Sequence, residues 1–235
     1  MKKLKILATC LIFALVATGF TYAVWSQQLI INGTVATGNF GFEWDPPNCW
    51  AAPFDRDDTD GQDITYSVDR DEAQKNRLVV TMSNIYPGAG IKLDAKGINN
   101  GTIPAKFNNA TITFSDEDSP LIPYLRSKGT FGWNKTGTGS AIGRDIQQPD
   151  SQTGIWPQLN AFDDGMNRYL TDNPDNPYQT NREVIINQGG WFALDEIANP
   201  DSPNCIYIKL DESTPKELAG QSITFTLTAN FVQAQ

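Results

Sequence analysis

Apolar and polar residues alternate along this chain in short runs, and stretches with the 3.6-residue period of a helix are scarce. The clearest run is the last. Ile223, Phe225, Leu227, Ala229 and Phe231 alternate with Thr224, Thr226, Thr228 and Asn230, which predicts a strand with one core-facing side. Phe40, Phe42 and Trp44 repeat the pattern over Asn39–Trp44, after a Thr37-Gly38 turn. Asp45-Pro46-Pro47 is expected to stop that strand, and 45–63, rich in proline and aspartate, reads as a long loop. Further strands are predicted at Ile64–Asp69, Arg77–Ile85, Gly90–Lys96, Ala105–Ser115 and Cys205–Leu210, with Pro87-Gly88 and Asn100-Gly101 as turn signals. The fold class that follows is all-β, a sandwich of short strands.

From Asp116 to Pro203 the alternation weakens. Short helices are expected at Ser119–Lys128 and Trp156–Leu170, and short strands at Phe131–Asn134, Glu183–Asn187 and Trp191–Leu194. Gly137–Gly143 and Asp172–Pro177 read as loops. The apolar residues of this stretch are sparse and unperiodic, so it reads as a loop-rich insertion within a single sandwich domain spanning 37–235.

The start of the chain is different. Lys2, Lys3 and Lys5 precede an apolar run from Ile6 to Gly19, and Thr21-Tyr22-Ala23 offers a small-x-small cleavage site, so 1–23 reads as a secretory signal cut between Ala23 and Val24. The alternative, an uncleaved anchor, would ask a run shorter than the roughly 20 residues of a spanning helix to hold the membrane. Ala23–Val35 then reads as a strand with no hairpin partner before it. It pairs either within its own subunit as an ordinary first strand or with another molecule.

Export changes the charge and cysteine arithmetic. The leader carries three of the 18 basic residues and none of the 27 acidic ones, so the formal charge falls from −9 to −12. That acidity argues against nucleic acid as a partner, and any self-assembly needs specific contacts to offset repulsion between copies. Cys10 leaves with the leader. Cys49 and Cys205 remain and are expected either to form a disulfide, worth up to about 5 kcal/mol in the chain-entropy account, or to stay as two buried thiols.

The chain contains no histidine, which removes Ser-His-Asp and Cys-His nucleophile systems and imidazole-ligated metal sites. No glycine-rich phosphate loop is present, and the plentiful carboxylates read as solvated surface rather than a glycosidase pair. No enzymatic activity and no cofactor are expected. Asp55, Asp57, Asp58 and Asp60 suggest a structural calcium loop, but Arg56 occupies the position where Asp-x-Asp-x-Asp-Gly needs its first carboxylate, so a solvated loop is the competing reading. Trp25, Trp44, Trp50, Trp133, Trp156 and Trp191 all follow the leader; those in the loop-rich middle either stack on sugars, as in a surface glycan-binding or adhesion module, or pack over the sandwich ends. Asn32, Asn100, Asn109 and Asn134 each begin an Asn-x-Thr glycosylation sequon.

Several motifs together resemble one family. Thr21-Tyr22-Ala23-Val24-Trp25-Ser26, Thr37-Gly38-Asn39-Phe40, Tyr86-Pro87-Gly88, Asn99-Asn100-Gly101-Thr102-Ile103-Pro104 and Leu218–Phe225 resemble, in this order, stretches of the TasA/camelysin-like secreted proteins of bacterial and archaeal surfaces. The resemblance covers the leader, 24–44, 78–114 and 205–233. It implies a jelly-roll β-sandwich and a subunit of extracellular fibres, in biofilm matrix or bundling pili. There the N-terminal segment enters the neighbouring subunit as a donor strand. Here the donor would be 24–36, with Trp25, Leu29 and Ile31 on one side of the strand filling pockets. The partners implied are copies of the chain itself, with other matrix or surface proteins, outside the cell and away from the membrane once the leader is cut. The family's metalloprotease label does not carry over to a chain without histidine.

Overall fold

The computed structural model describes residues 38–54, 64–138, 142–147, 155–162, 166–167, 184–194 and 206–234. Eleven strands and three short 3-10 turns make up most of the regular structure among them, with α-helical residues at Phe162, Met166 and Asn167. All strand pairs are antiparallel, and they form two sheets. The first sheet runs β1 (Phe42–Phe54), β4 (Gly90–Asn99), β10 (Ile206–Leu210), β6 (Leu125–Asn134), β7 (Ile142–Gln147). A short strand, β9 (Trp191–Ala193), continues the lane of β10 between β4 and β6. The second sheet runs β2 (Thr65–Arg70), β3 (Arg77–Ile85), β11 (Gln221–Gln233), β5 (Ala105–Phe114), β8 (Ile185–Ile186). The chain therefore folds as an all-β sandwich.

Alternation explains why these residues are strands. On β3, Leu78, Val80 and Met82 are fully buried while the residues between them reach the surface; on β11, Ile223, Phe225, Leu227, Ala229 and Phe231 do the same. Buried residues from both sheets form one core. One part of it is aromatic. Phe42 stacks on Phe231 at 4.0 Å between ring centroids, and Phe107 meets both Phe231 and Phe192 within 6 Å, so rings from β1, β5, β9 and β11 close the gap between the sheets. Such pairs contribute about 0.5–1.5 kcal/mol each beyond the area they bury.

Three expectations are corrected. The first strand does not stop at Asp45-Pro46-Pro47 but continues to Phe54. Trp44 pairs with Gly97 and Cys49 with Ala95, so residues 45–48 bulge opposite Lys96 alone. β1 is an edge strand, and a bulge on an edge is where proline's missing N–H costs no ladder bond. Second, Ser119–Lys128 is not a helix: a 3-10 turn over Ile122–Tyr124 leads directly into β6 at Leu125. Pro120 and Pro123 interrupt any helical ladder, and buried Leu125 and Ser127 alternate with Arg126 and Lys128 as a strand requires. Third, the Gly137–Gly143 loop gives way at Ile142 to β7.

The stretch 116–203 thus supplies β6, β7 and β9 to the first sheet and β8 to the second, and Leu121, Phe131, Phe162 and Phe192 are in the core. Among its described residues the expected helix at Trp156–Leu170 appears as a 3-10 turn, Leu159–Ala161, followed by α-helical positions at Phe162, Met166 and Asn167, the first two of them buried. No helix among the described residues is long and apolar enough to cross a membrane.

Candidate functional site

The outer face of the first sheet carries an unusual set of side chains. Ile91, Leu93 and Ala95 of β4 point to the core, which turns Lys92, Asp94 and Lys96 outward; likewise Ile206, Ile208 and Leu210 of β10 turn out Tyr207 and Lys209. On β6, Arg126 and Lys128 face the same way. Strand register then sets Ala52, Lys92, Tyr207 and Lys128 in one row across four strands, with Lys209 beside Arg126 in the next.

Trp156 completes the group. Ser127 donates its N–H to the Pro157 carbonyl at 2.9 Å and Arg126 bridges Gln158, so the segment that carries Trp156 lies along β6. The ammonium groups of Lys128 and Lys209 lie 4.5 and 4.8 Å from the centroid of the Trp156 ring, whose edge meets Tyr207 at 6.2 Å. Lys128 and Lys92 flank the Tyr207 ring at 5.0 and 6.0 Å. Further along β4, Lys96 lies 5.4 Å from the Trp191 ring. Cation–π contacts at exposed sites contribute about 0.5–1 kcal/mol each, enough to hold the side chains but not to neutralise them.

The charges are unevenly matched. Arg126 pairs with Asp211 at 3.0 Å, and Lys209 lies 3.7 Å from Glu212. Burial alone would raise the Asp211 carboxyl, but hydrogen bonds from the Ser213 hydroxyl and N–H, with Arg126 and Lys209 nearby, hold it below its ordinary range. Lys92 and Lys128 form no ion pair among the described residues. Burial, and then the charge of Lys209, lowers the Lys128 ammonium below its usual value.

A second feature is the edge of the second sheet. β2 pairs with β3 on one side only. Thr65, Tyr66 and Ser67 are exposed, Val68 half-buried, and no other backbone segment among the described residues bonds their outer side. The edge of β1 is treated differently: the Trp44 N–H donates to the Lys75 carbonyl at 2.9 Å and Arg70 donates to the Trp44 carbonyl at 3.1 Å. Ion pairs from Glu43 to Lys75 and Arg70 reinforce that cover.

Ala23, Val24, Trp25, Leu29 and Ile31, the aspartates 55, 57, 58 and 60, and Cys205 lie outside the described residues. Cys49 is a free thiol opposite Ala95, its Sγ 3.6 Å from the Lys96 carbonyl, and burial, with Asp45 and Asp94 adding to it, pushes its pKa up to about 11. No trio of Cys, Asp or Glu side chains among the described residues is placed to hold a metal ion. Of the tryptophans considered for sugar stacking in the middle of the chain, Trp133 and Trp191 are buried and Trp156 alone joins a surface cluster. Sequence reasoning missed Lys92, Lys128, Tyr207 and Lys209. Their signal is a lysine at alternate positions of apolar strands, as in Ile91-Lys92-Leu93 and Ile208-Lys209-Leu210, and it becomes a cluster only once the register is known. Comparison of the chain with family models, with curated proteins and with solved structures finds no match.

Proposed function

We propose that the chain is a structural subunit of an extracellular filament or pilus, or of a biofilm-matrix fibre, assembled by insertion of its N-terminal strand into the neighbouring copy. The open edge of β2 carries the reading. Thr65-Tyr66-Ser67-Val68 is uncharged, rich in strand-forming residues and without an outer backbone partner among the described residues, the kind of edge that accepts an added strand. The leading segment 24–35, whose sequence reads as a strand, would supply the donor. Donation from one copy to the next is heterologous and does not close, so a filament is the product. Main-chain hydrogen bonds and the burial of Trp25, Leu29 and Ile31 would have to outweigh repulsion between copies of charge −12.

The test is electron microscopy of protein beginning at Val24 beside protein beginning at Thr37, with the paired change Thr65→Lys and Ser67→Lys in the longer form. Filaments from the first and monomers from the other two are expected. Polymers from the chain beginning at Thr37, or none from the chain beginning at Val24, would overturn the reading.

A further inference from the structure

One role of lysine on a sheet is at its edges, where it blocks pairing with other chains. Lys92, Lys128 and Lys209 stand on β4, β6 and β10, all interior strands of the first sheet, so edge protection does not explain them. Their cation–π contacts are offset by the repulsion of like charges held on one face. Two of these ammonium groups share one indole, and two flank one phenol, in a chain whose overall charge is −9. Positive charge interleaved with aromatic rings, in a chain of net negative charge, is an arrangement suited to an anionic ligand with flat apolar faces.

From these contacts we infer that this face binds an acidic polysaccharide of the polyuronate class, with Lys92 and Lys128 on its carboxylates and Tyr207 and Trp156 against its sugar rings. The spacing fits that chemistry. Lys92 and Lys128 sit on either side of Tyr207 in one row, two strand separations or about 10 Å apart. An extended polyuronate turns the carboxylates of alternate sugars to the same side, so two of them meet the two lysines while the sugar between lies on the Tyr207 ring. Ala52, next in the row, is small and leaves the Lys92 end open; Trp50, 45 % exposed, stands two residues away along β1 opposite Asp94. Lys209, beside Trp156, adds a third cation for a neighbouring carboxylate. Nucleic acid fits less well, because a chain of this net charge repels a dense polyphosphate everywhere outside the patch.

The site does not depend on the filament reading, since it shares no residue with 24–36 or β2. Calorimetric titration of the purified protein with a tetragalacturonate, with its methyl ester as the uncharged control and with a single-stranded oligonucleotide of equal charge, tests it. The acid is expected to bind, with quenching of tryptophan emission, and the ester and the oligonucleotide at least tenfold more weakly. K92Q/K128Q is expected to lose at least tenfold in affinity with an unchanged thermal melt, and K92R/K128R to retain binding. No binding of the acid, equal binding of ester or oligonucleotide, or unchanged affinity in K92Q/K128Q would overturn the inference. Filament formation by the same variants, scored in parallel, separates failure here from failure of the assembly proposal.

Discussion

Asn99 donates its side-chain amide to the Ile186 carbonyl, 2.9 Å away, and so ties the end of β4 in the first sheet to β8 in the second. The same amide donates to the Ile103 carbonyl at 2.8 Å, and its oxygen accepts the Gly101 N–H at 3.0 Å. The residue is wholly buried, so removing its side chain strands polar groups that no solvent can reach. Asn99→Ala is expected to lower the unfolding free energy by about 3 kcal/mol, seen as a lower urea midpoint at unchanged slope. A loss under about 1 kcal/mol would show that this link is not what joins the sheets.

Gly97 makes room for a ring. It lies opposite Trp44 in the β1–β4 pair, and a Cβ there would run into the Phe42 ring and crowd the Glu43 carbonyl. Gly97→Ala should destabilise by about 1–3 kcal/mol through overpacking. Because the clash is with one side chain, Phe42→Leu in the same protein should cost less than the two changes summed. Strict additivity in a double-mutant cycle would contradict this account.

Cys49 gives a prediction in pH. Its folded pKa of about 11 lies above the ordinary thiol value, so the folded state holds its proton longer than the unfolded chain does. The resulting stability term is whole below about pH 9 and falls as pH rises through 11. At pH 8 the native thiol should react with a disulfide reagent on the order of a hundredfold more slowly than in denaturant. Cys49 stands as a free thiol in the structure. Cys49 is therefore expected to titrate as a thiol in denaturant without reductant. Its absence from that titration would establish the pairing with Cys205.

Much of the sandwich was legible because its strands carry their own period. Arg77–Ile85 shows alternation unbroken enough to fix both strand ends, and β5 and β11 are nearly as plain. Pro87-Gly88 and Asn100-Gly101 mark turns as their chemistry demands, yet β3 and β4, and β4 and β5, lie in different sheets, which a turn signal does not encode. β6 was obscured by Pro123 before it and by Gly129 and Gly132 within it; the partner strands that give those residues a place are far away in sequence. The cation–aromatic face was hidden for the same reason. Lys92, Lys128 and Tyr207 become neighbours only through the β4–β10–β6 register.

That face also predicts a separation of stability from binding. Lys128 carries its charge against partial burial and against Lys209, and its pKa is lowered accordingly. For a base lowered in this way the folded state sheds its proton first, so stability rises with pH through the window just below the ordinary lysine value. Neutralising the group should do at any pH what that titration does there: Lys128→Gln is expected to leave Tm unchanged or raise it slightly, while weakening capture of the acidic polysaccharide. Lys209→Gln differs, because it also removes a partner of Glu212 and a charge that holds Asp211 ionised, and a small fall in Tm is expected. Thermal melts of the two variants at pH 7 and pH 9.5 decide the matter. A fall of several degrees for Lys128→Gln would mean that the lysine serves the fold, and its place between two aromatic rings would then be structural.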